Sequence, residues 1–149
     1  LIQYYNGNKL KQHVFLQLSV ESVSSLVIAP DLRRIHLIIE FYSKILPKTS
    51  LNFQRLCEGQ SINDKEHSYK GSYFNRCKAN TFFQGGQSLD NQDQSIFGDT
   101  FEDETNCVSH NMPGVLGMTN RGSKHTNCRQ FYITLRPIKE FDGKFVAFG

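Results

Sequence analysis

No tryptophan occurs in these 149 residues, so the bulky material of a core must come from twelve Phe and six Tyr. Cys57, Cys77, Cys107 and Cys128 form no CxxC pair, and the five His show no HxxxH spacing. The close ligand spacing of structural zinc is therefore missing, and no metal is expected. An even cysteine count is compatible with two disulfides. Nothing in the chain, however, reads as a secretory signal with a basic start and an apolar core, so reduced thiols in a cytoplasmic compartment are the expectation. Lys and Arg are scattered under a net charge of +3. No basic run could track a phosphate backbone, so nucleic acid is not an expected partner. A membrane is not an expected partner either.

What is present describes one ordinary folded domain: 21% charged residues, 38% hydrophobic residues and a length sufficient for a real core. A start at Leu1 rather than Met is read as a missing N-terminal portion. Residues 1–12 read as an N-terminal extension or linker, or as a short hairpin, because the Asn6-Gly7 pair tolerates positive φ. Val14, Leu16, Leu18 and Val20 alternate with polar residues, as do Ile35, Leu37, Ile39 and Phe41, predicting two antiparallel strands. Between them ESVSSLVIAPD forms a long connection whose Leu26-Val27-Ile28 centre is either a strand extension or an exposed contact patch. Pro47 suits the first turn of a helix, Leu51, Phe53, Leu56 and Cys57 supply its apolar face, and Gly59 offers a stop. Beyond it, short apolar runs alternate with Gly, Asn and Asp turns. Many short strands and one helix predict a mainly β domain over residues 13–149, closed as an antiparallel barrel so that no edges are left exposed.

The stretch Tyr69 to Gly86, YKGSYFNRCKANTFFQGG, sets Arg76 eight residues before Gln84 with a Gly pair behind, a layout that suits a buried guanidinium held by an amide. FEDE at Phe101 to Glu104, GVLGMTN at Gly114 to Asn120, QFYIT at Gln130 to Thr134 and FDGKFVAFG at Phe141 to Gly149 follow in order. Taken together, these motifs resemble the cyclophilin family of peptidyl-prolyl isomerases over roughly Val14 to Gly149. GVLGMTN, QFYITL and KFVAFG are most similar to the divergent ciliary peptidyl-prolyl isomerase-like 6 group. The resemblance implies an eight-stranded barrel capped by helices. It also implies further C-terminal elements past Phe148-Gly149, so the domain is expected to be incomplete there.

Isomerisation about X-Pro needs no covalent step and no cofactor, so none is expected. It needs a dry socket for the proline ring and a donor that meets the prolyl nitrogen in the twisted state. By the resemblance, Arg76 is the catalytic arginine and Gln84 orients it. Thr81, Phe82, Asn120, Gln130, Tyr132, Phe141 and Phe145 are the substrate-binding positions, and Arg121 and Glu140 the groove rim. Several depart from the family pattern. Thr81-Phe82 stands for a Phe-Met pair, Tyr132 for Phe, Phe141 for Leu, Phe145 for His, Glu140 for the Trp of cyclosporin-sensitive members and Arg121 for Ala. Cys128-Arg129 replaces a Gly-Ser pair, setting a charged side chain beside the neighbouring pocket.

Two functions follow from the resemblance. One is a peptidyl-prolyl cis-trans isomerase of reduced activity that acts on proline-containing segments of protein clients and binds cyclosporin poorly. The other is a non-catalytic structural or binding module, with axonemal microtubule proteins of a cilium or flagellum as partners and the Leu26-Val27-Ile28 segment as a contact.

Overall fold

The computed structural model describes residues 3–6, 13–19, 34–62, 65–88, 90 and 92–149, with backbone placement alone for residues 3–6, 13–19, 34, 35 and 62. β1 (Gln3–Asn6) pairs antiparallel with β2 (His13–Ser19), Asn6 opposite Val14, so part of the stretch before His13 is strand. β2 pairs antiparallel with β3 (Arg34–Glu40), Val14 opposite Ile39, as the alternating pattern predicts. The connection carrying Leu26-Val27-Ile28 lies outside the described residues.

The helix α1 runs Pro47–Glu58, begun by Pro47 and ended at Gly59, whose φ of 83° is left-handed. Its N-terminal flank is Leu46, which has no side-chain acceptor for the free N–H groups of the first turn. Glu104, from the FEDE stretch, supplies them from a distance. Its carboxylate accepts the Lys48 N–H at 2.8 Å and the Thr49 N–H and hydroxyl each at 2.7 Å. A negative charge there also opposes the positive end of the helix dipole. Inside the helix, buried Asn52 donates to the Cys128 carbonyl at 2.9 Å and accepts the Ile96 N–H at 3.0 Å, tying α1 to two distant segments.

A small hairpin follows, β4 (Gln60–Ile62) against β5 (Lys65–His67). The main antiparallel sheet has the order β6-β7-β9-β8, from β6 (Phe74–Lys78), β7 (Phe82–Gly85), β8 (Leu116–Asn120) and β9 (Asn127–Thr134). Phe131 and Ile133 of β9 and Leu116 and Met118 of β8 point into the main core. There Phe53 packs on Phe41, Tyr69, Phe131 and Phe148 with ring centroids 5.7, 5.1, 5.0 and 5.4 Å away.

The described residues are mainly β with one α-helix, as expected, but they do not form the closed eight-stranded barrel. Their strands make three separate sheets, in which β6 has β7 as its single neighbour. One seam is partly drawn together. Ala147 bridges Gly117 of β8, and the Phe148 carbonyl accepts the Tyr42 N–H at 2.9 Å, just past the end of β3.

Because Glu104 serves two backbone N–H groups and a hydroxyl, Glu104→Ala is expected to lower stability by about 1–2 kcal/mol. Equilibrium denaturation would show this as a lower midpoint, and an unchanged midpoint would mean that water caps the helix equally well.

Candidate functional site

The two faces of the main sheet are divided by strand alternation. On β9, Cys128, Gln130 and Tyr132 line a cavity of about 600 Å³, while Phe131 and Ile133 face the core. On β7, Phe82 and Gln84 line the cavity and Phe83 packs against the core. Simple alternation would set Phe74 and Arg76 of β6 on one face. The pairing with β7 shifts register between them, so Phe74 packs on the core and Arg76 reaches the cavity. A second shift on β8, between Met118 and Asn120, brings Thr119 and Asn120 together at the cavity's edge.

Register then fixes which residues meet. Arg76 lies opposite Gln84, Gln84 opposite Tyr132, and Tyr132 opposite Gly117, one row across all four strands. The apolar floor is Phe82, Tyr132, Phe141 and Phe145, with ring centroids 5.7 Å apart for Phe82 and Phe141, 5.1 Å for Tyr132 and Phe141, and 4.8 Å for Phe141 and Phe145. Phe141 stands on a short 3-10 helix, Lys139–Phe141. The rim carries Arg121, whose guanidinium grips both carboxylate oxygens of Asp99 at 2.7 and 2.8 Å. Asn120 closes the loop beside it, donating to the Lys144 carbonyl at 3.0 Å and accepting the Gly122 N–H at 3.1 Å.

Four expectations change. Arg76 is exposed rather than buried, because β6 is an edge strand among the described residues, and its guanidinium sits 5.4 Å from the centre of the Phe82 ring. Gln84 does not hold it. The Gln84 amide donates to the Gln130 side chain at 2.8 Å, and Gln130 donates on to Asp93. Thr81 is absent from the lining; it is buried in the β6–β7 turn, where its hydroxyl donates to the Ala79 carbonyl at 3.1 Å and its own carbonyl accepts the Leu135 N–H at 2.7 Å. Glu140 is exposed on the 3-10 helix and does not line the cavity.

Arg129 does not line the cavity. Alternation turns it to the other face, where it is buried, with Nε donating to the Gly86 carbonyl at 2.8 Å and a terminal nitrogen to the Ser68 carbonyl at 2.6 Å. Its own carbonyl accepts the Tyr69 hydroxyl, over whose ring the guanidinium stands at 5.4 Å. Cys128 does line the cavity, buried.

His110 carries no signal in the sequence, yet it underlies the site with 0% exposure. Asp142 accepts both the His110 backbone N–H and the ring Nδ1, each at 2.8 Å, and His110 Nε2 lies 2.6 Å from the Tyr132 hydroxyl. An ionised Asp142 can only accept, so the proton of a neutral His110 sits on Nδ1 and Nε2 accepts the Tyr132 O–H. The His110 backbone N–H and then its ring hold the Asp142 carboxyl below its usual range. Burial, helped by the Asp142 charge, pushes the Tyr132 phenol up. The hydroxyl fits because its neighbour is glycine: a Cβ on Gly117 would stand 2.2 Å from the Tyr132 oxygen and 2.3 Å from its Cζ.

Residues 31–149 match the family model described as cyclophilin type peptidyl-prolyl cis-trans isomerase/CLD. The chain belongs to the cyclophilin family. The human and mouse proteins named "Probable inactive peptidyl-prolyl cis-trans isomerase-like 6" are 47% identical over 119 residues and 48% identical over 120 residues to this cyclophilin. Each alignment covers 76% of this chain and 38% of the relative. Peptidyl-prolyl cis-trans isomerase H of Mycosarcoma maydis is 41% identical over 115 residues, covering 74% of this chain and 72% of that protein. The resemblance to the isomerase-like 6 group read from short motifs is thus supported by the two mammalian relatives.

Gly117→Ala is expected to cost about 1–3 kcal/mol, since the methyl must push Tyr132 off His110. In a Tyr132→Phe background the ring is no longer tied down and the cost should fall by at least half. Denaturation of the single and double variants checks this, and strictly additive effects would mean that the two sites do not interact.

Proposed function

We propose that this cyclophilin domain binds X-Pro segments of protein clients in the groove and isomerises them slowly. The observation that carries the proposal is the cross-strand row Arg76, Gln84 and Tyr132 opening on an apolar floor of Phe82, Phe141 and Phe145. The barrier to rotation is about 18–20 kcal/mol because amide resonance is lost, while the two X-Pro isomers differ by only about 0.5–1 kcal/mol. A groove that grips the proline ring and offers a cationic donor to the prolyl nitrogen favours the twisted state over either planar one. Slowness follows from solvent. Arg76 is exposed and carries no amide from Gln84, so its charge acts through water rather than in a desolvated site.

Removing one donor from a desolvated site commonly costs about 10²–10³ in rate; for a solvated Arg76, Arg76→Ala should slow exchange by about tenfold. Exchange of a proline tetrapeptide, followed by NMR with the full-length protein and with the variant, gives the answer. Equal rates would remove Arg76 from the mechanism.

A second reading is a binding module without turnover. It is favoured by the names of the mammalian relatives, which call them probable inactive isomerases, and by their extra length, since the chain spans 38% of each. An axonemal microtubule partner belongs to this reading. Tight peptide binding with no enhancement of exchange, in the native protein and in Arg76→Ala alike, would favour it.

Weak cyclosporin binding belongs to the proposal as well. At the position where cyclosporin-sensitive members present an indole N–H, this chain has Glu140, an acceptor-only carboxylate that stands outside the cavity lining, so the donor is missing from the groove. Titration calorimetry should find little heat with the native protein. Tight binding by the native protein would overturn the expectation.

A further inference from the structure

The described residues of the groove carry an uneven charge. Arg76 and Lys78, two residues apart on β6, both line the cavity, and such spacing puts both side chains on one face of a strand. Both are exposed, and among the described residues neither forms an ion pair. The other charges of the lining are already engaged. Arg121 is matched by Asp99, and Asp93 accepts the Ser88 N–H at 2.8 Å and a bond from Gln130. The β6 wall therefore holds two positive charges that no described carboxylate pairs, and with Arg121 matched by Asp99 the single charge of Asp93 leaves the described lining net positive.

We propose that the groove selects proline segments bearing a carboxylate side chain within two residues of the proline, with Lys78 as the specificity-determining residue. Lys78 lies opposite Phe82, the floor residue over which Arg76 stands, and its Cα is two strand steps from that of Arg76, about 6.6–6.8 Å. An extended ligand covers the same length in about two residues. A proline seated on the Phe82 floor with its nitrogen near Arg76 thus brings the side chain one or two positions away to Lys78. A glutamate there meets Lys78 and feels Arg76, whereas a lysine is repelled by both.

The inference rests on the groove being the proline-binding site, and the test separates the two. Matched peptides with Glu, Gln or Lys flanking one proline are titrated into the full-length protein, and their bound-state signals and exchange rates are read by NMR. The Glu peptide is expected to bind about threefold more tightly than the Gln peptide and about tenfold more tightly than the Lys peptide, the scale of a few partly solvated charge contacts. At 0.5 M salt the three should converge, since screening then acts within a few ångströms. In Lys78→Glu, where Arg76 is left to offset the new carboxylate, the preference for the Glu peptide over the Lys peptide should disappear, with circular dichroism confirming the fold. Binding that ignores the flanking charge, or a ranking unchanged by Lys78→Glu, overturns the selectivity while leaving proline binding intact. If none of the peptides binds, both the selectivity and the proline-binding groove fall.

Discussion

The groove depends on the register between β9 and its two neighbours. β9 is flanked by β7 and β8, and each of its residues must serve one face or the other. With Tyr132 opposite Gln84 on one side and Gly117 on the other, the polar row and the apolar floor are laid side by side. Phe131, the next residue back, stacks edge-on to Phe53 and Tyr69 in the main core. A slip of one residue would exchange these faces, putting Phe131 into the groove and the Tyr132 hydroxyl among apolar rings. The aromatic core therefore does more than stabilise the sheet. By accepting only one of the two sets of β9 side chains, it decides which set is left to form the site.

Much of this was legible in the sequence, and the illegible parts share a cause. Pro47 and Gly59 mark the helix because both act through their own backbone angles. Arg76, Gln84 and Tyr132 stand in ordered motifs, and strand pairing carries that order into a row. The two register shifts, after Phe74 and after Met118, have no local signature, yet they decide that Arg76 and Asn120 reach the cavity. Arg129 reads as a surface charge, since its partners are carbonyls 43 and 61 residues away. His110 reads as an isolated histidine for the same reason, with Tyr132 and Asp142 distant by 22 and 32 residues. Thr81 and Glu140 were placed by motif position, and each is turned away by a turn or short helix whose direction the motif does not encode.

The polar side of the groove shows how a donor pair can be separated without losing either member. Gln84 and Arg76 face one another across β6 and β7, but Gln84 is drawn toward β9 by Gln130, which Asp93 holds from the far side. Arg76, left on the edge strand, spreads over Phe82 instead. The same residues that would act together in a dry site act here as two independent features, an amide chain and a solvated cation.

The contact between Tyr132 and Gly117 limits how this sequence can drift. Any side chain at Gly117 collides with the phenol, so that position is closed while the tyrosine is held by His110. Loss of the hydroxyl first would leave a small gap and a lone imidazole nitrogen and would free the ring from His110, so that its Cζ and Cε2, 2.3 and 2.9 Å from where a Cβ would stand, could tilt away before Gly117 acquired a methyl group. The reverse order begins with a clash. Descent between an aromatic-hydroxyl floor and a plain aromatic one is thus directional at the level of single substitutions, and chains that carry a side chain at this glycine are expected to have given up the tyrosine beforehand.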